Sequence, residues 1–509
     1  MRSGPTSDLW WKNAVVYCLD VETFHDADGD GCGDFAGLIE RVDHAARLGA
    51  SCLWLMPFYP TPNRDDGYDI ADYLAVDPRL GDLGDVVDAI RHARDRGLRV
   101  IVDLVVNHTS DEHPWFRAAR ADRASRYRSY YVWSDDPAAE RGTTPENWTW
   151  DEAAGQHYLH RFAPFQPDLN IANPAVRDEI AKTAGFWLAL GAAGFRMDAV
   201  PFLVEEVGID GADPGAGKRW LHELREYTTR RRGEAMLMGE VNVAMRDLES
   251  YFEDRGDALH LQLGFLINQR LWLALARGDA TPLEDLIRRL PVPPHDAGWA
   301  TFLRNHDELS LDKLEGDERD DVFAAFAPQE RMRIYGHGIR RRAASMLGGD
   351  GPRLRMAWSL LLTLPGTPVV FYGDEVGMVE DLGREGRMSV RTPMDWRAVA
   401  AQQRAPGSLM RFLQRLIQER REAPELGWGV STLIETEPRA LFARRSDWQD
   451  STVVVAHNLG AAPVATELDL GDDVGVEDLL EAREHRVEGG VVRAELEPYG
   501  YLWLRARRR

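Results

Sequence analysis

Cysteine is scarce in this chain: three residues of 509, Cys18, Cys32 and Cys52, all near one end. So few thiols cannot build a disulfide framework; they fit a reducing compartment, with packing as their expected role. Long hydrophobic runs are lacking too. No stretch reaches the roughly 18 uncharged apolar residues of a membrane span. The opening Met1-Arg2-Ser3-Gly4-Pro5-Thr6-Ser7-Asp8 has no apolar signal core. The expectation is a cytoplasmic protein without a membrane partner. Positive charge is also short, with 61 Lys and Arg against 83 Asp and Glu, a formal net charge of -22. Such a chain repels phosphate backbones and anionic lipid surfaces, which argues against nucleic acid as a partner. No internal repeat of 20 to 50 residues is visible.

What is present is ample apolar material, 44% of residues, enough for a large core in two to four domains. Short Val/Ile/Leu-rich runs occupy 14–24, 51–58, 99–107, 194–202, 235–242, 259–265, 299–307 and 368–373. Helical patterns alternate with them at 36–49, 83–97, 174–191, 217–232, 268–290 and 352–364. Eight strands with helices between them predict an α/β fold, a closed (β/α)8 TIM barrel, over 1–107 and 171–398. The stretch 108–170, rich in Trp, Tyr, Asp and Arg, is too long for a bare loop and reads as an inserted lid subdomain. After about residue 399 a helix at 407–422 leads into alternating strands, so 399–509 is expected to form an antiparallel β-sandwich.

Three acids each close an apolar run: Asp198 after Gly194-Phe195-Arg196-Met197, Glu240 after Met236-Leu237-Met238-Gly239, and Asp307 after Arg304-Asn305-His306. Carboxylates at the ends of barrel strands stand at the mouth where such folds place their chemistry. Two acids flanking an anomeric carbon can cleave or transfer a sugar, one as nucleophile and one as proton donor. Singly, each acid serves as well for a helix cap or an ion pair.

Asp103-Leu104-Val105-Val106-Asn107-His108, Gly194-Phe195-Arg196-Met197-Asp198, Gly239-Glu240 and Asn305-His306-Asp307, with Gln166-Pro167-Asp168-Leu169-Asn170, resemble the ordered signature segments of the alpha-amylase superfamily. The resemblance implies Asp198 as nucleophile, Glu240 as general acid/base and Asp307 as the carboxylate that binds sugar hydroxyls. It also implies that Arg196 keeps Asp198 ionised and that His108 and His306 bond the sugar being cleaved. Asp65-Asp66-Gly67-Tyr68-Asp69 resembles the segment lining the closed end of the family's pocket. Tyr68 would stack on the sugar, and Asp65 would pair with Arg387 to admit one terminal glucosyl unit.

Asp26-Ala27-Asp28-Gly29-Asp30-Gly31-Cys32-Gly33-Asp34 sets acids at alternate positions in a glycine-rich loop, the donor chemistry of a hard cation. It resembles the metal loop of the oligosaccharide-cleaving members. The expected cofactor is structural calcium, or magnesium, held by Asp26, Asp28, Asp30, Asp34 and the carbonyl of Cys32, with no organic cofactor. A second calcium at Asn107 and Asp168 follows from analogy alone. Within the superfamily, Asp198-Ala199-Val200-Pro201-Phe202, Leu303 to Leu309, Gly338 to Arg342 and Leu364 to Pro368 look most like the trehalose synthases, which interconvert maltose and trehalose. Val241, Met388 and Asp395 depart from that pattern, which leaves the catalytic trio intact and the acceptor side open. The expectation is therefore a retaining α-glucosyl enzyme on small α-glucosides, with isomerisation leading and α-glucosidase or transglucosidase close behind. A non-catalytic carbohydrate-binding relative is disfavoured, because all three acids and Arg196 are present. The expected partner is a small saccharide, and the oligomeric state, a homo-oligomer included, stays open.

Overall fold

A computed structural model describes residues 9–140, 143–204, 216–252, 257–349, 351–471, 474–481 and 485–508. The opening octet read above for targeting lies outside the described residues. Eight parallel strands close into a barrel in chain order: β1 Val16–Leu19, β2 Cys52–Leu55, β3 Arg99–Leu104, β4 Gly194–Met197, β5 Met236–Gly239, β6 Leu261–Leu263, β7 Gly298–Phe302 and β8 Thr367–Phe371. Closure comes from Val16 pairing with Val369. Their side chains are almost all buried, because helices cover the outside of the barrel and the side chains fill its inside. That is why the strands read as unbroken apolar runs rather than alternating ones.

Helices Phe35–Leu48, Leu83–Asp95, Pro174–Leu190, Ala216–Arg231 and Pro352–Thr363 fall where the periodicity puts them. Local chemistry fixes their ends. Asp82 and Asp85 form a capping box before Leu83, and Gly191 takes the left-handed conformation that closes the helix ending at Leu190. The single helix expected over 268–290 is two, Phe265–Arg277 and Thr281–Arg289. Gly278, at φ 62°, caps the first by donating to the Ala274 carbonyl, and Pro282 in the first turn starts the second.

Between β3 and the helix at Pro174, strands Trp133–Ser134, Trp148–Asp151 and Gln156–Leu159 form a small antiparallel sheet. Bridges from His108 to Asp168 and from Tyr131 to Leu169 draw the two ends of this insert together. A second small sheet follows β7, made of Leu309–Ser310, Arg333–Ile334 and Gly338–Ile339. Two-residue strands have no readable periodicity, and the sequence gives no sign of it.

The helix Leu409–Glu422, read with the C-terminal region, sends Leu413, Leu416 and Ile417 into the barrel's hydrophobic core. Antiparallel structure begins at Val430. A five-stranded and a three-stranded sheet enclose a separate core including Leu441, Val454, Leu468, Val492 and Leu504. Among the described residues no helix is long and apolar enough to cross a membrane.

Candidate active site

The site is built from strand register. Asp103 on β3 lies directly beside Arg196 on β4, and both point inward. Two residues on, at the same face of the strand, comes Asp198. Met197 pairs with Gly239 on β5, so the next residues, Asp198 and Glu240, leave their strands side by side. One guanidinium gathers all three acids. Arg196 Nη1 donates to Asp103 (2.6 Å) and to Asp198 (2.6 Å), and Nη2 donates to Glu240 (2.5 Å). Asp103 is fixed in turn by the indole of Trp54 at 2.8 Å. Ala199, directly after Asp198, has the left-handed φ of 48°, and its backbone N–H donates to Glu240 Oε2 at 3.2 Å. A non-glycine residue in that region is strained, and here the strain supplies a hydrogen bond to Glu240.

Electrostatics separate the two acids. Burial pushes the Asp198 carboxyl up, Arg196 opposes it, and the result is about 6. Glu240 rises to about 8, again by burial first, with the negative Asp198 and Asp307 adding to it against Arg196. Glu240 therefore holds its proton to higher pH than Asp198, the order that a nucleophile and an acid require. The Glu240 side chain remains 24% exposed, so its proton can reach the barrel mouth.

Asp307 follows β7 and is held differently. Burial alone would raise its carboxyl. Arg387, His306, Arg391 and Arg196 outweigh burial and hold it well below the usual range. Arg387 Nη1 lies 3.1 Å and Arg391 Nη2 3.0 Å from Asp307 Oδ1, while His306 Nε2 lies 3.2 Å from Oδ2. Burial keeps His306 neutral and lowers His108 to about 4. Tyr68 lies parallel to the His306 ring at 5.7 Å, its hydroxyl 2.7 Å from His306 Nε2. His108 Nε2 contacts the Tyr68 carbonyl and Gln166.

Asp65 and Arg387 do not form the ion pair expected of them. Asp65 accepts instead from Gln166 Nε2 at 2.8 Å, and Arg387 is taken by Asp307 and by Glu308, whose Oε2 lies 2.7 Å from Nε. Two acids at the end of β7 outcompete a more distant one. The Arg387 charge still acts on Asp65, whose pKa burial raises and Gln166 and Arg387 lower. Arg391 makes the long-range tie instead, joining Asp66 to Asp307 and donating to the His306 carbonyl. Sequence reading assigned no role to Arg391, Asp66, Glu308 or Asp103. Asp103, Asp66 and Glu308 each stand inside a signature segment, which marks the region but not the contact.

In the loop after β1, the carboxylates of Asp26, Asp28 and Asp34 offer oxygens all within 4.8 Å of one another, a donor set that fits a hard divalent cation. Gly29 and Gly31 take left-handed conformations, and their N–H groups donate to Asp26. Asp30 stands outside this group, with Oδ1 accepting the N–H of Cys32. Asn107 and Asp168 are bonded to each other at 3.2 Å, and Arg161 lies 3.8 Å from Asp168. Cys18 and Cys52 are buried and Cys32 is partly so, all as free thiols.

Residues 20–327 match the alpha amylase catalytic domain. The chain is 36% identical to a trehalose synthase of Pimelobacter sp., across 91% of this chain and 89% of that one. It is 37% identical to a trehalose synthase/amylase of Mycobacterium tuberculosis, across 92% and 84%. The solved α-amylase of H. orenii superposes with a TM-score of 0.80 at 25% identity, covering 97% of this chain and 99% of that one. With the acids gathered at the barrel mouth and this likeness over most of its length, the chain belongs to the alpha-amylase family of glycoside-acting enzymes.

Proposed function

We propose that this protein is a retaining α-glucosyl enzyme that isomerises small α-glucosides, interconverting maltose and trehalose through a glucosyl-Asp198 intermediate. The observation that carries the reading is the shared Arg196 guanidinium, which keeps the nucleophile and the acid/base at short range with their pKa values split about neutrality. Short separation is what retention needs. The Asp198 carboxylate attacks C1 as the C1–O bond breaks, and the Glu240 proton passes to the departing oxygen. Glu240, now ionised, takes the proton of an incoming hydroxyl, whose oxygen attacks C1 and frees Asp198. If that hydroxyl belongs to the retained glucose the product is an isomer, and if it is water the product is hydrolytic. Asp307, held ionised, receives sugar hydroxyls, with Tyr68, His108, His306, Asp65 and Arg387 shaping the pocket around one glucosyl unit. Asp26, Asp28 and Asp34 would hold a divalent cation that braces the loop after β1 and takes no part in the chemistry.

The likeness to the trehalose synthase of Pimelobacter sp. supports isomerisation as the leading reading. Incubation with maltose, sucrose and trehalose, with products resolved chromatographically, tests it. Trehalose from maltose and maltose from trehalose are expected; glucose alone would establish a hydrolase, and transfer to longer saccharides a transglucosidase.

A further inference from the structure

The small sheet after β7 ends in a three-residue hairpin loop between Ile334 and Gly338, and Tyr335 stands at its tip. Tyr335 and Gly336 both have positive φ, 55° and 73°. Turns with two such residues favour Asn-Gly, because a bulky side chain is strained in the left-handed region. A tyrosine standing at a position suited to asparagine directs attention to its side chain. Tyr335 is 61% exposed, one of few large hydrophobic residues among the described ones so open to solvent. It is aimed at the site all the same. The Arg387 guanidinium lies over it at 5.8 Å, and burial raises the pKa of its phenol although Arg387 opposes the shift. Arg387 itself touches Asp307. Tyr335 thus sits one residue outward from the third acid, reached through Arg387, with more than half of its surface open to solvent.

We propose that Tyr335 is a specificity-determining residue whose ring forms the outer wall against which the departing sugar rests, so that this sugar rather than water attacks the glucosyl-Asp198 intermediate. The proposal rests on the covalent reading above. An aromatic face offers a sugar's C–H face an apolar surface with few torsions to immobilise, and the cation above it fixes the ring. Holding the sugar beside C1 raises its effective concentration and leaves less room for water.

The test reads a ratio from one shared intermediate, so it does not depend on how fast that intermediate forms. Full-length wild type, Tyr335→Ala and Tyr335→Phe are given 4-nitrophenyl α-glucoside with added glucose. Glucosyl transferred to glucose is then compared with glucosyl transferred to water. The transfer-to-hydrolysis ratio is expected to fall about tenfold in Tyr335→Ala, the scale of one lost aromatic contact, and to survive in Tyr335→Phe, which keeps the ring. A ratio within twofold of wild type in Tyr335→Ala overturns the proposal, as does wild type that releases nitrophenol yet transfers nothing to glucose. Circular dichroism of both variants guards against misfolding, and a Phe variant as impaired as the Ala variant sinks the ring-based account. Absence of nitrophenol release in wild type would instead overturn the glucosyl-enzyme reading and this inference with it.

Discussion

A single arginine, buried to the last few per cent, decides the protonation pattern of the site. Arg196 touches Asp103, Asp198 and Glu240, three carboxylates that burial would otherwise neutralise. Its one positive charge cannot satisfy three negatives, so the proton that remains settles where the charge is least well held, on Glu240. The pair should therefore titrate as a unit. The proposed mechanism requires Asp198 ionised, hence pH above about 6, and Glu240 protonated, hence pH below about 8. A bell-shaped kcat/KM profile with those limbs is the expected outcome, and a profile flat from pH 5 to 9 would refute it. Asp198→Asn should lower kcat by several orders of magnitude across the whole range. Turnover within tenfold of wild type would remove Asp198 as nucleophile.

At the scale of elements, the barrel strands announce themselves because each is buried on both faces, while the connections that complete the site do not. The Asp65–Arg387 pairing failed for a physical reason: spacing along the chain places an arginine near the mouth, but competition among Asp307, Glu308 and Asp65 decides its partner. Gly278 was visible as a residue and not as a helix end, since one glycine in an apolar helical pattern carries little weight against its neighbours. The acidic loop was legible as a cluster, but which of its acids converge depends on turns at Gly29 and Gly31. Three carboxylates gathered in one loop repel one another unless a cation intervenes. A chelator is expected to lower Tm, added calcium to restore it, and Asp28→Asn to blunt both responses. A Tm indifferent to chelator and calcium would defeat the cation assignment.

For the molecule as a whole, the buried carboxylates make stability fall as pH rises. Burial raises Asp20 and Asp168 to about 7, Asp103 to about 6 and Glu240 to about 8. Above their ordinary values the unfolded chain has shed protons that the folded chain keeps, so each of these groups costs increasing stability between about pH 4 and its folded pKa. Asp307 works in the opposite sense, since its folded pKa is depressed, and the stability it contributes is lost on acidification. Glu240→Gln removes one raised group. Its Tm should exceed that of wild type at pH 8, with the gap closing towards pH 5, and a gap independent of pH in calorimetry would refute the account.

Arg391 joins Asp66 to Asp307, partners that lie 325 and 84 positions away from it along the chain, and the barrel itself closes only when Val369 reaches Val16. During synthesis, a chain already containing Asp198, Glu240 and Asp307 still has an open sheet and an unclamped third acid. The site is therefore complete only in a chain that extends past residue 391, well beyond the last of its three acids.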